Sequence, residues 1–297
     1  MQMMRTKHEQ AGLRLWPLLL AGHLAAGMAL ADDAQPGGPV ERYVRYGFTL
    51  QNETGQLVPA ADLWVCAPLK ATSLQQQLDL KASQPYDETT DGLGNQVLHF
   101  TFRSIPPYAV RIVSVEATVA WHTEAEPMGI APGTDLQPAP MFEFDNEAFA
   151  RLIPEFPKND SAQAARAIFD WVRQHIRDIG YDGTDRGALY ALTQKKGDCT
   201  EFATLFAALC RREGIPARAM GGYVISQNTT LDPAAFHNWA EFYMNGAWHL
   251  ADPQRGAFNE MSAQYIATRV LGESDSPLGN HARFRFTGDG IKAVMNK

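Results

Sequence analysis

From Val40 to about His122, apolar and polar residues alternate with the two-residue period of a strand. The runs "YVRYGFTLQN", "DLWVCAPL", "NQVLHFTFRSI" and "YAVRIVSVEATVAW" are rich in Val, Ile, Phe, Tyr, Trp and Thr, and the turn-forming stretches "NETGQ", "DETTDGLGN" and Pro106-Pro107 separate them. Successive side chains of a strand point to opposite faces, so each run offers one apolar face. Several such runs at short spacing predict a β-sandwich-like domain of roughly 80 to 100 residues. A Pro- and Gly-rich stretch, "EPMGIAPGTDLQPAP" from Glu126 to Pro140, closes this regime and marks the expected domain boundary.

Beyond it the period lengthens. "NEAFARLIPEF" is helix-like, and "NDSAQAARAIFDWVRQHI" spaces Ala164, Ile168, Trp171, Val172 and His175 as one helical stripe, with Asn159, Asp160 or Ser161 as its cap. Strands return at "ARAMGGYVIS", "HNWAEFYM", "AWHLADP" and "ARFRFT". The fold class is therefore α+β: a β-sandwich-like domain with its linker over residues 32–140, then a domain over 141–297 with helices first and an antiparallel sheet last.

Between the helix-like segments and those strands lies "DCTEFATLFAALCRREG". Phe202, Leu205, Phe206 and Leu209 fall on one helical face, Asp198 and Glu201 form a capping-box pair, Arg211 and Arg212 occupy the last turn, and Gly214 stands where a left-handed cap is wanted. Cys199 takes the first helical position. Unpaired N–H groups and the positive end of the helix dipole favour an anion there, which predicts a lowered thiol pKa and offers donors to an oxyanion. A structural cysteine at a helix start fits the same pattern.

A nucleophilic thiol needs a base, and a base needs an orienting group. In "HNWAEFYMNGAWHLADP", Asn245-Gly246 between two alternating runs signals a two-residue hairpin loop. Counting outward pairs Met244 with Ala247, Tyr243 with Trp248, Glu241 with Leu250 and Trp239 with Asp252. His237 then lies diagonally from Asp252 on one face, at a spacing an imidazole and a carboxylate can bridge; a slip of one residue would put them on opposite faces. His249 falls on the other face, His175 sits on a helix stripe, and His99 and His122 lie in the β region. No CxxC or HExxH spacing points to a metal, and no cofactor is implied.

Charge and cysteine usage narrow the setting. Arg5, Lys7 and Arg14 precede an apolar run from Leu15 to Ala31, the form of a secretory signal peptide over residues 1–31, so the chain is expected to be exported, to the periplasm or beyond the cell, with no integral membrane segment after cleavage. Loss of three basic residues and the single acid Glu9 takes the net charge from −7 to −9. An acidic chain without Lys/Arg clusters is a poor partner for nucleic acid or anionic membrane. Cys199 and Cys210, eleven residues apart on one helix, lie about 16 Å apart along its axis and cannot be bridged. For Cys66 and Cys210 a bridge and two buried apolar thiols are both open, and the second is favoured.

"GDCTEFATLFAALCRREGIPARAMGGYV" followed by "HNWAEFYMNGAWHLADP" resembles the transglutaminase-like superfamily of papain-related cysteine enzymes, particularly its secreted bacterial members. The resemblance runs from about Phe149 to Pro253 and includes Ile215 to Arg218, Gly222-Tyr223 and Trp239 to Glu241. It extends loosely to an N-terminal β domain with a turn like Asp91 to Asn95. It implies Cys199 as nucleophile, His237 as base and Asp252 as orienting acid. The implied activity is thiol-dependent amide chemistry through an acyl-thioester, as a peptidase, amidase or acyltransferase acting on a protein, peptide or cell-wall peptide. The alternative is an inactive periplasmic binding or scaffold protein of the same fold. Asn238 and Gln254 depart from the family's usual small residue and Thr, and Tyr181 or Trp239 is the candidate second oxyanion donor.

Overall fold

A computed structural model describes residues 39–129, 136–260, 262–273, 275–279 and 282–297. The expected signal peptide lies outside the described residues. The described residues form one compact unit.

The alternating first half builds strands β1 (Val40–Asn52), β2 (Val58–Cys66), β3 (Gln75–Ala82), β4 (Asp87–Thr90), β5 (Gln96–Ile105) and β6 (Val110–Trp121). In β1 the buried apolar residues are Val44, Tyr46, Phe48 and Leu50, one face of the pleat, and they pack on Leu63, Val65, Leu98 and Phe100 of the opposite sheet. The second half supplies helices α1 (Glu147–Leu152), α2 (Ser161–His175), α3 (Gly187–Gln194) and α4 (Cys199–Arg212). Its strands are β7 (Arg177–Asp178), β8 (Lys196–Gly197), β9 (Ala217–Val224), β10 (Thr229–Thr230), β11 (Phe236–Met244), β12 (Ala247–Asp252), β13 (Ala257–Phe258), β14 (Tyr265–Leu271), β15 (Phe284–Thr287) and β16 (Ile291–Met295).

The sandwich is not made by the first half alone. One of its sheets runs β10-β1-β6-β3 with β16 also on β1, and the other runs β15-β2-β5-β4. The chain therefore crosses the boundary expected at residue 140 a second time, because the open edges of β1 and β2 are paired by its last two strands.

The sheet of the second half runs β13-β12-β11-β9-β14. Ala217, Ala219, Ala240, Phe242 and Ala251 face α2 and α4 across a core of Phe169, Phe202, Leu205, Phe206 and Leu209. Met220, Trp239, Leu250 and Tyr265 pack the other way, against Leu69 of the sandwich. The outer edge of β14 is closed by side-chain amides acting as a pseudo-strand: Gln75 bonds both main-chain groups of Ala267, at 2.8 and 3.0 Å, and Asn95 bonds both of Val270, at 2.6 and 3.0 Å. Asp160 caps α2 through the N–H groups of Ala162 and Gln163. His175 is not on the buried stripe of that helix; it is exposed and stacks on Trp171 at 4.6 Å, while Phe169 takes the buried position.

Candidate active site

Helix α4 starts where its capping residues dictate. The Asp198 carboxylate accepts from Thr200 N–H at 2.8 Å, the Glu201 carboxylate accepts from Asp198 N–H at 3.0 Å, and Gly214 closes the far end with φ 77°. Glu201 also accepts from Arg186 N–H at 2.9 Å, which ties the start of α3 to the start of α4. Burial raises the Glu201 carboxyl above its ordinary range, against the pull of those N–H donors. Gly197 is required beside it, since a Cβ there would come within 2.2 Å of Glu201 Cβ. The result is a rigid platform with Cys199 at its tip, half-buried, while Cys66 and Cys210 are buried; all three thiols are free, so Cys66 and Cys210 are not bridged.

The hairpin has the register expected of it. Met244 pairs with Ala247, Tyr243 with Trp248 and Glu241 with Leu250, and Asn245 and Gly246 have φ of 54° and 85°, the left-handed pair of a type I′ turn. His237 Nε2 lies 2.6 Å from Asp252 Oδ2. Asp252 is only 1% exposed, and its remaining capacity is taken by the Tyr265 hydroxyl at 2.9 Å on the same oxygen and by Arg255 N–H at 3.0 Å on the other. Burial, then the Asp252 charge, holds the Tyr265 phenol well above its ordinary pKa, so it remains a donor. One sheet neighbour further along, Arg218 and Glu241 pair at 2.7 Å across β9 and β11, with the guanidinium 3.9 Å from the centre of the Trp248 ring.

Cys199 opens on a cleft of about 450 Å³ whose walls include Tyr181, Asp182, Asp185, Asp198, Thr200, Phe236, Asn238 and Arg283. Asn238, the residue after His237, lines the same cleft as Cys199, and its main-chain N–H acts to lower the Cys199 thiol pKa. The cleft thus holds the thiol and the residue that follows His237, and His237 is itself paired with Asp252. The lowered thiol pKa expected from the helix start is overturned. Burial pushes the Cys199 thiol up to about 12 and the Asp198 carboxylate adds to the rise, while Asn238 N–H and the Thr200 hydroxyl oppose it. The physical reasons are burial first and the cap second: desolvation penalises the thiolate, and an anion already occupies the helix terminus, so the dipole has little left to offer a second one.

Of the two candidate oxyanion donors, Trp239 is 1% exposed and packs with Met220, Leu250 and Tyr265 away from the cleft, whereas Tyr181 is exposed on the cleft wall. Tyr265, Thr200 and the Asn238 side chain are site residues that the sequence reading missed. For Asn238 a signal existed, its departure from the family's small residue; for Tyr265, on a strand beyond the hairpin, there was none.

Residues 148–253 match the family model of the transglutaminase-like superfamily. Among individual proteins, an uncharacterized protein of Mycobacterium leprae is 29% identical over 160 residues, 51% of this chain and 56% of that protein. The kyphoscoliosis peptidase of Mus musculus is 28% identical over 121 residues, 38% of this chain and 18% of the peptidase. The chain spans about half the length of the first relative and less than a fifth of the second. Among solved structures, a candidate cysteine protease from Cytophaga hutchinsonii aligns with TM-score 0.49 at 19% identity, covering 88% of this chain and 90% of that one. The periplasmic domain of TgpA from Pseudomonas aeruginosa aligns with TM-score 0.28 at 17% identity, covering 68% and 91%.

Proposed function

We propose that the protein carries out thiol-dependent amide-bond chemistry, with Cys199 as nucleophile, His237 as general base and Asp252 as the group that orients the imidazole. The observation that carries this reading is the buried His237–Asp252 pair at 2.6 Å, on a strand whose next residue, Asn238, lines the cleft together with Cys199. Asp252 engages Nε2 and so leaves Nδ1 as the basic nitrogen.

With its acidity pushed so low, the resting thiol is neutral. His237 therefore takes the proton during attack: the S–H bond breaks, N–H forms at Nδ1, and sulfur bonds the amide carbon. The imidazolium then protonates the departing amine, leaving an acyl-thioester on Cys199. Water or a second amine releases the acyl group. A cleft open to solvent beside the sulfur favours water, and hence a peptidase or amidase over a cross-linking transferase.

The substrate class is a protein or peptide amide, cell-wall peptides included, and the setting is the periplasm or the cell exterior. No helix among the described residues is long and apolar enough to cross a membrane. Incubation with a peptide mixture should release new amino groups, and Cys199→Ala should lose on the order of 10³-fold or more of that rate. Undiminished turnover by the alanine variant refutes the assignment.

A further inference from the structure

Thr200 and Asn238, the residues that follow Cys199 and His237 in the chain, meet beside the thiol. Asn238 Nδ2 donates to Thr200 Oγ1 at 2.9 Å; the two are 9% and 3% exposed, and both belong to the cleft wall. Asn238 thus holds the threonine hydroxyl with its side chain, and its main-chain N–H favours a thiolate on Cys199. Having accepted that bond, the hydroxyl has its own proton to give. Its partner is Asp185 Oδ1 at 3.3 Å, beyond the ordinary range of an O–H···O bond, which ends near ~3.0 Å. Asp185 is exposed, so water can replace that bond.

We propose that the Thr200 hydroxyl, aimed by the Asn238 side chain, is a further participant in the thiol chemistry, turning its hydrogen bond from Asp185 to the Cys199 sulfur as the thiol ionises. This rests on the reading of Cys199 as nucleophile. In the step, the thiol proton passes to the His237 imidazole and the electron pair stays on sulfur. The Thr200 O–H bond stays intact and only changes acceptor.

The need is electrostatic. The sulfur is largely buried and stands next to the Asp198 carboxylate, so a thiolate there depends on every donor within reach, and a hydrogen bond to an anion is worth more than one to a neutral group. Asn238 N–H is one such donor and Thr200 is the second; both act to lower the thiol pKa.

The test reads the thiol, not turnover. Iodoacetamide alkylation of Cys199, followed by mass spectrometry from about pH 7 to pH 10, is compared in wild type, Thr200→Val, Thr200→Ser, Asn238→Ala and the Val/Ala double variant. Loss of one charge-assisted hydrogen bond cuts the thiolate fraction about tenfold, and the more basic thiolate recovers part of that in nucleophilicity, so Thr200→Val should react about threefold to fivefold more slowly. Thr200→Ser should match wild type. Asn238→Ala should be slowed less, and should add nothing to Thr200→Val.

If the Asn238 amide orphaned by valine prevents folding, the double variant removes that amide and carries the same expectation. A wild-type rate in Thr200→Val or the double variant, or equal slowing in Thr200→Ser and Thr200→Val, overturns the proposal. Peptide turnover undiminished by Cys199→Ala alongside the expected alkylation pattern would overturn the proposed function and leave the Thr200 assignment standing.

Discussion

At the scale of single residues, Asp198 does two opposed things. Its carboxylate caps α4, and its charge is the second-largest reason that the neighbouring thiol is held up to about 12. Asn caps a helix as well as Asp does, so Asp198→Asn retains an acceptor for Thr200 N–H while removing the charge. At about pH 8, alkylation of Cys199 should become severalfold faster; a slower or unchanged rate would contradict this account of the thiol. The stability consequence has a definite sign. A thiol whose folded pKa lies above its unfolded value near ~8.5 contributes stability in full below that value, and the contribution is lost as pH rises toward about 12. Asp198→Asn lowers the upper end of that window, so its urea midpoint should stop falling at a lower pH than that of wild type on the approach to about pH 12, even if the lost Asp182 N–H bond lowers stability by about 1 kcal/mol at neutral pH.

At the scale of elements, sequence was most legible where the signal was local. The start and stop of α4 and the register of the β11–β12 hairpin follow from residues within a few positions of each other, and the hairpin alone was enough to place His237 beside Asp252. Strand β14 escaped because it has no alternation: every residue of "YIATRVL" is buried, including Arg269, whose two terminal guanidinium nitrogens donate to the carbonyls of Ala282 and Gly279 in place of solvent. Hence Tyr265, which completes the Asp252 shell, was invisible too. The fit of β14 against β9 depends on a glycine. A Cβ at Gly222 would sit 1.9 Å from Ile266 O and 2.9 Å from Trp239 Cη2. Gly222→Ala should therefore destabilise by more than about 3 kcal/mol, read from urea unfolding, whereas Gly92→Ala, with nothing within 4 Å of its Cβ, should change it by less than about 1 kcal/mol. Similar midpoints for the two variants would mean that the sheet yields at this contact.

Across the whole molecule, the alternation of the first half identified a sandwich, and nothing local could show that the last strands return to it. β16 pairs with β1 from Phe48 to Asn52, and β15 pairs with β2 from Asp62 to Val65; Ile291 and Ala293 join the sandwich core, with Phe284 packed against it. Such pairings are set by edge complementarity over more than two hundred residues of chain, which no windowed period records. They also make the two halves interdependent, together with the Gln75 and Asn95 amides that close β14. Deleting residues 284–297 should thus lower the melting temperature of the transglutaminase-like part as well as the sandwich, in one shared transition. Two separate transitions, with the second unmoved, would show that the halves fold independently.

The central claim, that Cys199 becomes acylated with His237 as its base, is tested most directly with p-nitrophenyl acetate, an activated ester that needs no substrate-specific contacts, by acid quenching and mapping the acetyl group by mass spectrometry. Acetylation should fall on Cys199, should proceed at least about 100-fold more slowly in His237→Ala, and should vanish from that position in Cys199→Ala. Acetylation of Cys199 at the same rate in His237→Ala, or label found on Cys66 or Cys210 instead, would contradict it.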